Sequence, residues 1–286
     1  MLFIGVKIKR NNAIFLLILC GLLWSTGGFI IKLIPWPPMA IAGIRSGLAA
    51  IIIILYDNPK KFYFSFTTWA GAICYSIMVL CFVSANKMTT AGNVILIQFT
   101  APVYVALIGF YLLGEKSTKL DWLTIWIILS GLFLFFLDEI TIDQLWGKIL
   151  ALISGFGFAG LTLMMRKQKK ERPIDSALIG NILTFFICIP YYSDGATFEV
   201  QSWLLIFFLG LFQLGIPYVL YSTAIRYVSA LDAIIYPAVE PICSPLFAHL
   251  ILNESMPLSA KVGGALVLIG VIGRGVIKNT GRDKLC

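Results

Sequence analysis

The sequence predicts an all-α polytopic membrane protein with ten transmembrane helices in two inverted five-helix repeats. Composition, the spacing of apolar runs and a weak internal similarity lead to this prediction. Hydrophobic residues make up 59% of the chain and charged residues 13%, against about 45–50% and about 25% in soluble proteins. The mean hydropathy is +0.91. A soluble globule needs a far more polar exterior, and the same numbers exclude disorder, collagen and coiled coil.

Ten apolar runs account for most of the chain. A membrane-spanning helix needs about 20 apolar residues, so ten such helices leave only short loops and no soluble catalytic domain. The runs and their breakers place the predicted helices at residues 13–33, 38–56, 67–86, 90–113, 119–137, 147–166, 174–192, 202–224, 229–252 and 257–277. Pro35 and Pro37 end the first helix, and Asp194 with Gly195 closes the seventh.

The basic residues predict the orientation of these helices. With a cytoplasmic N-terminus, 17 of the 22 Lys and Arg residues fall in segments on the cytoplasmic side and four on the other side. The remaining basic residue, Arg45, lies deep within a span, and the strongest cluster is at residues 166–172, between helices six and seven. Positive charge is retained on the cytoplasmic side, so we expect a cytoplasmic-membrane protein with both termini inside. Because the Lys and Arg residues are scattered between apolar runs, the sequence predicts a protein surrounded by membrane lipid that does not bind nucleic acid.

Residues 81–133 resemble residues 220–272 at a constant shift of 139, with nine identical positions among 53. Identity between apolar helices is weak evidence, but polar residues and proline also fall in register. Such pairs include Pro102/Pro241, Glu115/Glu254, Lys87/Arg226, Thr90/Ser229 and Asn93/Asp232. The shift spans five helices, an odd number, so the second half is inverted. We expect domains at residues 1–139 and 140–286, an architecture typical of transporters with a midplane substrate site.

Two segments identify a family resemblance. Residues 85–116 read ANKMTTAGNVILIQFTAPVYVALIGFYLLGEK, and residues 224–254 read AIRYVSALDAIIYPAVEPICSPLFAHLILNE. They resemble the repeats of EamA-type transporters in the drug/metabolite transporter superfamily, and Trp24, Lys32 and Arg45 fit as well. The resemblance covers nearly the whole chain. It implies ten helices in two inverted halves and transport of a small organic solute, without specifying the substrate.

The chain departs from a strict repeat at two positions. The second-half counterpart of Arg45 is Asn181, and helix six has Phe158 near the place of Trp24. No nucleophile motif, phosphate loop, metal cluster or cofactor fingerprint is present in the sequence. We therefore expect a protein that is not an enzyme and that uses no cofactor and no metal.

Two ionisable residues lie deep within predicted spans. Arg45 is about two residues from the centre of helix two, roughly 3 Å from the midplane at 1.5 Å per residue. Glu240 has a similar depth in helix nine. Charged groups at this depth usually face a cavity or a partner. A structural ion pair between them and a role in substrate or proton recognition both remain open from the sequence.

Helix nine carries Pro237, Pro241 and Pro245 at four-residue spacing. Each proline removes a backbone donor, which predicts a kink and free carbonyls at residues 233, 237 and 241. In a membrane such carbonyls need partners or a wet cavity. A simple packing kink is the alternative reading.

Polar and aromatic faces on several helices predict the remaining site residues. Each residue alone favours interhelical packing over ligand binding, but their convergence on several helices indicates a binding cavity. Asp232 shares a face with Tyr236 and Glu240 but belongs nearer the cytoplasmic mouth. The predicted substrate-binding residues are Trp24, Arg45, Tyr75, Asn93, Gln98, Tyr104, Asn181, Gln213, Tyr218, Tyr221, Tyr236 and Glu240.

Three functions remain open from the sequence. The first is a monomeric secondary transporter that moves an amino acid or related metabolite by alternating access. In it Arg45 binds an anionic group and Glu240 binds a cationic group or a proton. The second is a multidrug or organic-cation exporter coupled to protons, in which Glu240 is the essential charge. The third is a scaffold or lipid flippase without solute transport.

Overall fold

The computed structural model describes residues 8–57, 64–135, 144–193, 199–243 and 258–282. Within these ranges the chain is helical and contains no strand. The helices are α1 (Arg10–Trp24), α2 (Gly27–Leu33), α3 (Pro38–Asp57), α4 (Phe66–Met88), α5 (Ala91–Gln98), α6 (Ala101–Leu113), α7 (Lys119–Phe135), α8 (Leu145–Lys167), α9 (Ile174–Ile187), α10 (Val200–Phe208), α11 (Ile216–Ala224), α12 (Ala230–Ile235) and α13 (Leu258–Arg282).

Several of these stretches are long and apolar enough to cross a membrane. In the described part of the chain they are Arg10–Leu33, Pro38–Asp57, Phe66–Met88, Asn93–Leu113, Leu145–Lys167 and Val200–Ala224. Their outward side chains are large and apolar, as expected for a surface in contact with lipid. The chain is therefore an integral membrane protein.

The first predicted helix begins earlier than expected and is interrupted. It runs from Arg10 and divides into α1 and α2 at Ser25 and Thr26. The Ser25 hydroxyl donates to the carbonyl of Leu22 at 2.6 Å, and that of Thr26 donates to Leu23 at 2.8 Å. These side chains occupy backbone acceptors at the interruption, which makes it tolerable inside a membrane.

The span predicted over residues 90–113 is present as the stretch Asn93–Leu113, but its helix is interrupted. The chain turns at Phe99 and Thr100, which separates α5 from α6. The Thr100 hydroxyl donates to the carbonyl of Ile97 at 2.7 Å. Pro102 lies in the first turn of α6 and has no amide hydrogen to continue the ladder of α5.

The seventh and eighth predicted helices are also irregular. The prediction of continuous helix over residues 174–192 is wrong in its last turn, because α9 ends at Ile187 and a 3₁₀ turn follows over Ile189–Tyr191. Pro190 lies in that turn. A π-helical segment, Leu209–Gly215, joins α10 to α11 within the prediction over residues 202–224. We call this stretch the π segment.

The predicted kink in helix nine is present in its described part. After α12 the chain forms a 3₁₀ turn over Tyr236–Val239 and then resumes helix from Glu240. The carbonyl of Pro237 is not free as predicted, because it accepts the amide hydrogen of Glu240. Residues 244–252 of this predicted helix, including Pro245, lie outside the described residues.

A left-handed helix stop and a capping box join α6 to α7. Gly114 has φ 69° and ends α6, as its residue type predicts. The Thr118 hydroxyl accepts the amide hydrogen of Asp121 at 3.2 Å, and Asp121 accepts that of Thr118 at 2.8 Å. Asn253 and Glu254, the predicted counterparts in the second half, lie outside the described residues.

The helices surround a common centre. α4 packs along α8 and α9, while α3 lies against α9 and the π segment. α1 packs on α11 and on Tyr236–Val239, α5 and α6 pack on α8, and α7 lies along α13. The middle of the bundle is therefore bordered by elements from both halves of the sequence.

Candidate functional site

A cavity lies in the middle of the bundle, and the empty space among its lining residues, its open side included, is about 390 Å³. It is bordered by α1, α3, α4, α5, α8, the π segment, α11 and the helical turn that begins at Glu240. Its lining residues are Trp24, Arg45, Met78, Val79, Phe82, Gln98, Phe158, Gln213, Leu214, Tyr218 and Glu240.

Half of the predicted site residues line this cavity. They come from α1, α3, α5, the π segment, α11 and the chain after Tyr236–Val239. They are Trp24, Arg45, Gln98, Gln213, Tyr218 and Glu240. The structure thus brings together residues up to 216 positions apart, Trp24 and Glu240.

Three further predicted residues, Tyr75, Asn181 and Tyr221, lie just outside the cavity lining. The Tyr75 ring meets that of Tyr218 edge to face, with centroids 4.9 Å apart, and its hydroxyl donates to Asn181 Oδ1 at 2.9 Å. Tyr221 packs on Trp24 with centroids 5.5 Å apart, and its hydroxyl is 2.7 Å from that of Thr162. These contacts fix the rings that form the wall.

The other three predicted residues lie outside the cavity lining. Asn93 donates to the Thr89 hydroxyl at 3.1 Å, near the N-terminus of α5. The Tyr104 ring stacks on Phe156 with centroids 4.1 Å apart. Tyr236 lies beside Arg10, with its hydroxyl 3.5 Å from Nη2.

Sequence reasoning missed most of the apolar lining. Met78, Val79 and Phe82 continue the face of α4 that begins at Tyr75, so helical spacing from that residue was an available signal. Phe158 was noted only as a stand-in for Trp24. It meets Trp24 edge to face, with centroids 5.7 Å apart and an interplanar angle of 85°.

The two charged residues of the cavity do not pair with each other. Arg45 is 1% exposed and Glu240 is 7% exposed. Arg45 Nη1 donates to Gln213 Oε1 at 2.8 Å, and among the described residues its Nε has no hydrogen-bond partner. No ion pair between Arg45 and Glu240 occurs among the described residues, nor does any donor there hydrogen-bond to the Glu240 carboxylate. The cavity is therefore lined by one cationic and one anionic side chain.

A cluster of ion pairs closes one end of the bundle, where α1 begins and α13 ends. Arg274 of α13 is 1% exposed. Its Nη2 lies 2.8 Å from Asp121 Oδ1 of α7, and its Nη1 binds Asp232 of α12. Arg10 Nη2 adds a contact to Asp232 at 3.2 Å. Asp232 thus lies at a mouth of the bundle, as its sequence position predicts. We call Arg10, Asp121, Asp232 and Arg274 the charged cluster.

These features define a polytopic helical membrane protein with a mixed polar and aromatic cavity at its centre. The chain belongs to the EamA-like transporter family, which it matches twice, over residues 11–137 and 145–274. The predicted resemblance to EamA-type transporters is thereby confirmed.

Relatives and solved structures agree with this assignment. An uncharacterized transporter of Archaeoglobus fulgidus is 27% identical over 202 residues, covering 70% of this chain and 73% of that protein. The uncharacterized transporter YwfM of Bacillus subtilis is 24% identical over 285 residues, covering 92% and 94%. One crystal structure matches with a TM-score of 0.77 at 16% identity, covering 94% of this chain and 99% of that one. The relatives identify a membrane transporter, and the last match shows the fold alone.

Proposed function

We propose that the protein is a secondary active transporter that moves a small organic metabolite, an amino acid or a related solute, across the cytoplasmic membrane. The central cavity is its substrate site. One observation carries the proposal: Arg45 and Glu240 line the same buried cavity without pairing among the described residues. A zwitterionic solute supplies a partner to both, and buried charges need such partners.

The lining suits the rest of such a solute. Trp24, Phe82, Phe158 and Tyr218 give the cavity an aromatic wall. Gln98 adds an amide whose Nε2 donates to the Ser154 hydroxyl at 2.8 Å. In our proposal Arg45 binds a carboxylate, Glu240 binds an ammonium group or a proton, and the wall binds an apolar side chain.

The proposed scaffold is ten spans in two inverted halves, residues 1–139 and 140–286. The two family matches support this division. So do two N-caps at positions related by the shift of 139. The Thr90 hydroxyl accepts the amide hydrogen of Asn93 at 3.1 Å, and the Ser229 hydroxyl accepts that of Asp232 at 3.1 Å.

The packing of the helices supports the equivalence of the two halves as well. At the shift of 139, α4 corresponds to α11 and α8 corresponds to α1. The contact between α4 and α8 therefore has an equivalent in the contact between α11 and α1. Likewise α4 corresponds to the π segment and α9 corresponds to α3. The contact between α4 and α9 therefore has an equivalent in the contact between the π segment and α3. α3 and α9 are each other's counterparts and pack together, and the same holds for α7 and α13. Two equivalent halves provide two similar closures, which alternating access requires.

The orientation and association of the chain are proposed from charge and composition. Both termini lie in the cytoplasm, so that the charged cluster faces the cytoplasmic side and closes it. Opening this side requires the cluster to separate. The transporter acts as a monomer in lipid, and a solute or proton gradient drives it.

Transport by the purified protein in liposomes tests the function. We expect uptake of a solute that carries both a carboxylate and an amine, and we expect Arg45→Ala to lower its apparent affinity by about 10- to 100-fold, because a charged hydrogen bond is lost. Arg226→Ala is the matched control, since Arg226 lies outside this cavity and donates to the carbonyl of Glu171 at 2.6 Å. Folded protein that moves no solute from a broad amino-acid and metabolite panel would contradict the proposal.

The Glu240 carboxylate also favours a second candidate, a proton-coupled exporter of drugs or organic cations. In that case Glu240 is the essential charge and Arg45 is structural. The Arg45→Ala variant separates the two, because a cation exporter keeps most of its efflux of cationic dyes whereas a metabolite transporter loses its uptake.

A further inference from the structure

We propose that Gln213 is a positioning residue, which holds the Arg45 guanidinium ready for a solute carboxylate and so sets the preference of the cavity for carboxylate-bearing solutes. This inference rests on the proposed function and adds to it the residue that controls charge selectivity. It starts from one contact, in which Arg45 Nη1 donates to Gln213 Oε1 at 2.8 Å. Both residues are buried, at 1% and 5% exposure.

The chemistry of the partner explains why an amide is used here. A buried arginine is usually paired with a carboxylate. The described ion pairs do not include Arg45, and Gln213 supplies a neutral acceptor instead. The amide therefore orients the guanidinium without cancelling its charge. A glutamate at the same position would neutralise the cation.

The backbone brings Gln213 to Arg45 through the π segment. A Cβ on Gly210 would lie 3.1 Å from the carbonyl oxygen of Arg45 and 2.6 Å from Cβ of Leu48. The π segment and α3 are thus in close contact at the level of Arg45. Gln213 lies three residues after Gly210 in the same π segment. π-helical turns are frequent at functional sites because they redirect a side chain without ending the helix.

A third element confines the other end of the amide. A Cβ on Gly27 of α2 would lie 2.7 Å from Gln213 Nε2. The backbone of α2 therefore covers the amide nitrogen while Arg45 binds the amide oxygen. Gly27 follows the interruption at Ser25 and Thr26, so the break in the first helix is what places α2 against Gln213.

The held guanidinium keeps donors for a ligand. A guanidinium has five N–H groups in a fixed fork, and Gln213 engages one nitrogen. Nε is buried and has no hydrogen-bond partner among the described residues. A carboxylate accepts two parallel hydrogen bonds from such a fork. Gln213 thus decides which edge of the fork the cavity presents.

The test compares phenylalanine with phenylalanine amide, which differ in the carboxylate. We expect the wild type to bind phenylalanine about 10- to 100-fold more tightly. Gln213→Glu should abolish this preference by neutralising Arg45. Gly27→Ala should reduce it, since the new methyl group displaces the flexible end of Gln213. Gln168→Glu is the matched control, because it makes the same change at a buried glutamine outside the cavity lining, whose side chain contacts Thr68 and Ser176.

A cycle with Arg45→Gln shows whether Gln213 acts through Arg45. In the Arg45→Gln background, Gln213→Glu should change the preference no further, because coupled residues are not additive. Equal effects of Gln213→Glu and Gln168→Glu, or a full effect of Gln213→Glu without Arg45, would overturn the inference.

The same four proteins separate this inference from the proposed function. If the wild type binds neither probe, the proposed function fails for this solute class. The melting temperatures of the four proteins in the cycle then test whether Gln213 acts on Arg45. If Gln213→Glu changes the melting temperature by different amounts with Arg45 and with Arg45→Gln, the positioning contact is supported. Identical shifts in the two backgrounds refute it.

Discussion

At the scale of single residues, Glu240 is the group whose chemistry is most open to direct measurement. It lies at the first helical turn after Tyr236–Val239, and its carboxylate lines the central cavity. It is 7% exposed and belongs to none of the described ion pairs. A carboxylate in such a place either binds a cationic group of the solute or carries a proton.

Glu240→Gln distinguishes these two roles. If Glu240 binds the ammonium group, the apparent affinity for an amino acid should fall about 10- to 100-fold. If it carries the proton, uptake driven by a pH gradient should disappear while solute exchange at equal pH continues. Measuring solute flux in liposomes with and without a pH gradient gives both the apparent affinity and the gradient-driven uptake. Unchanged affinity together with unchanged gradient-driven uptake would exclude Glu240 from the mechanism.

The sequence predicted the polar residues of the cavity better than the apolar ones. Arg45, Gln98, Gln213 and Glu240 stand out because polar groups inside a span are costly and need a reason. Phe82 does not stand out, because an apolar side chain that faces a cavity has the same sequence signature as one that faces lipid. The hydrogen bond between Arg45 and Gln213 could not be foreseen, since it depends on the packing of helices far apart in sequence.

At the scale of elements, the interruptions in the helices are what build the site. The apolar runs predict where helices occur, because length and hydropathy decide insertion. They do not predict the breaks at Ser25, Thr100 or the π segment, because these depend on side-chain hydroxyls and on contacts with neighbouring helices. Proline predicted one interruption correctly, the 3₁₀ turn over Tyr236–Val239.

One connection between elements gives a stability prediction. Glu115 follows α6, and its Oε1 accepts from Arg166 Nε at 2.8 Å while its Oε2 accepts the amide hydrogen of Ala230 at 2.8 Å. It thereby caps α12 and ties it to α8. Glu115→Ala should destabilise the protein by roughly 1 kcal/mol, the usual cost of a lost cap, since the partly exposed ion pair adds little.

Thermal melting in detergent measures this effect. Glu171→Ala is the control, because its side chain is exposed and its described hydrogen bonds, with Arg226 and Gln168, are made by its backbone. We expect a lower melting temperature for Glu115→Ala alone, with solute affinity unchanged in both variants. Equal melting temperatures for the two variants would mean that Glu115 does not cap α12.

At the scale of the whole molecule, the two ends of the bundle differ in charge. The charged cluster joins α1, α7, α12 and α13 at one end. At a shift of 139, the counterparts of Asp121, Asp232 and Arg274 are Ala260, Asn93 and Phe135, which carry no charge. In the proposed mechanism the closure at this end therefore depends on ion pairs that the equivalent positions in the other half do not provide.

The central claim is that two inverted halves enclose the cavity, which fixes the side of the membrane on which each loop lies. The direct measurement is labelling of single cysteines in intact cells by an impermeant maleimide, in a chain freed of its own cysteines. Lys9→Cys and Lys169→Cys should be labelled only after the membrane is opened, and Lys148→Cys before it. Labelling of Lys9→Cys and Lys169→Cys from opposite faces would contradict the inverted arrangement and the alternating access built on it.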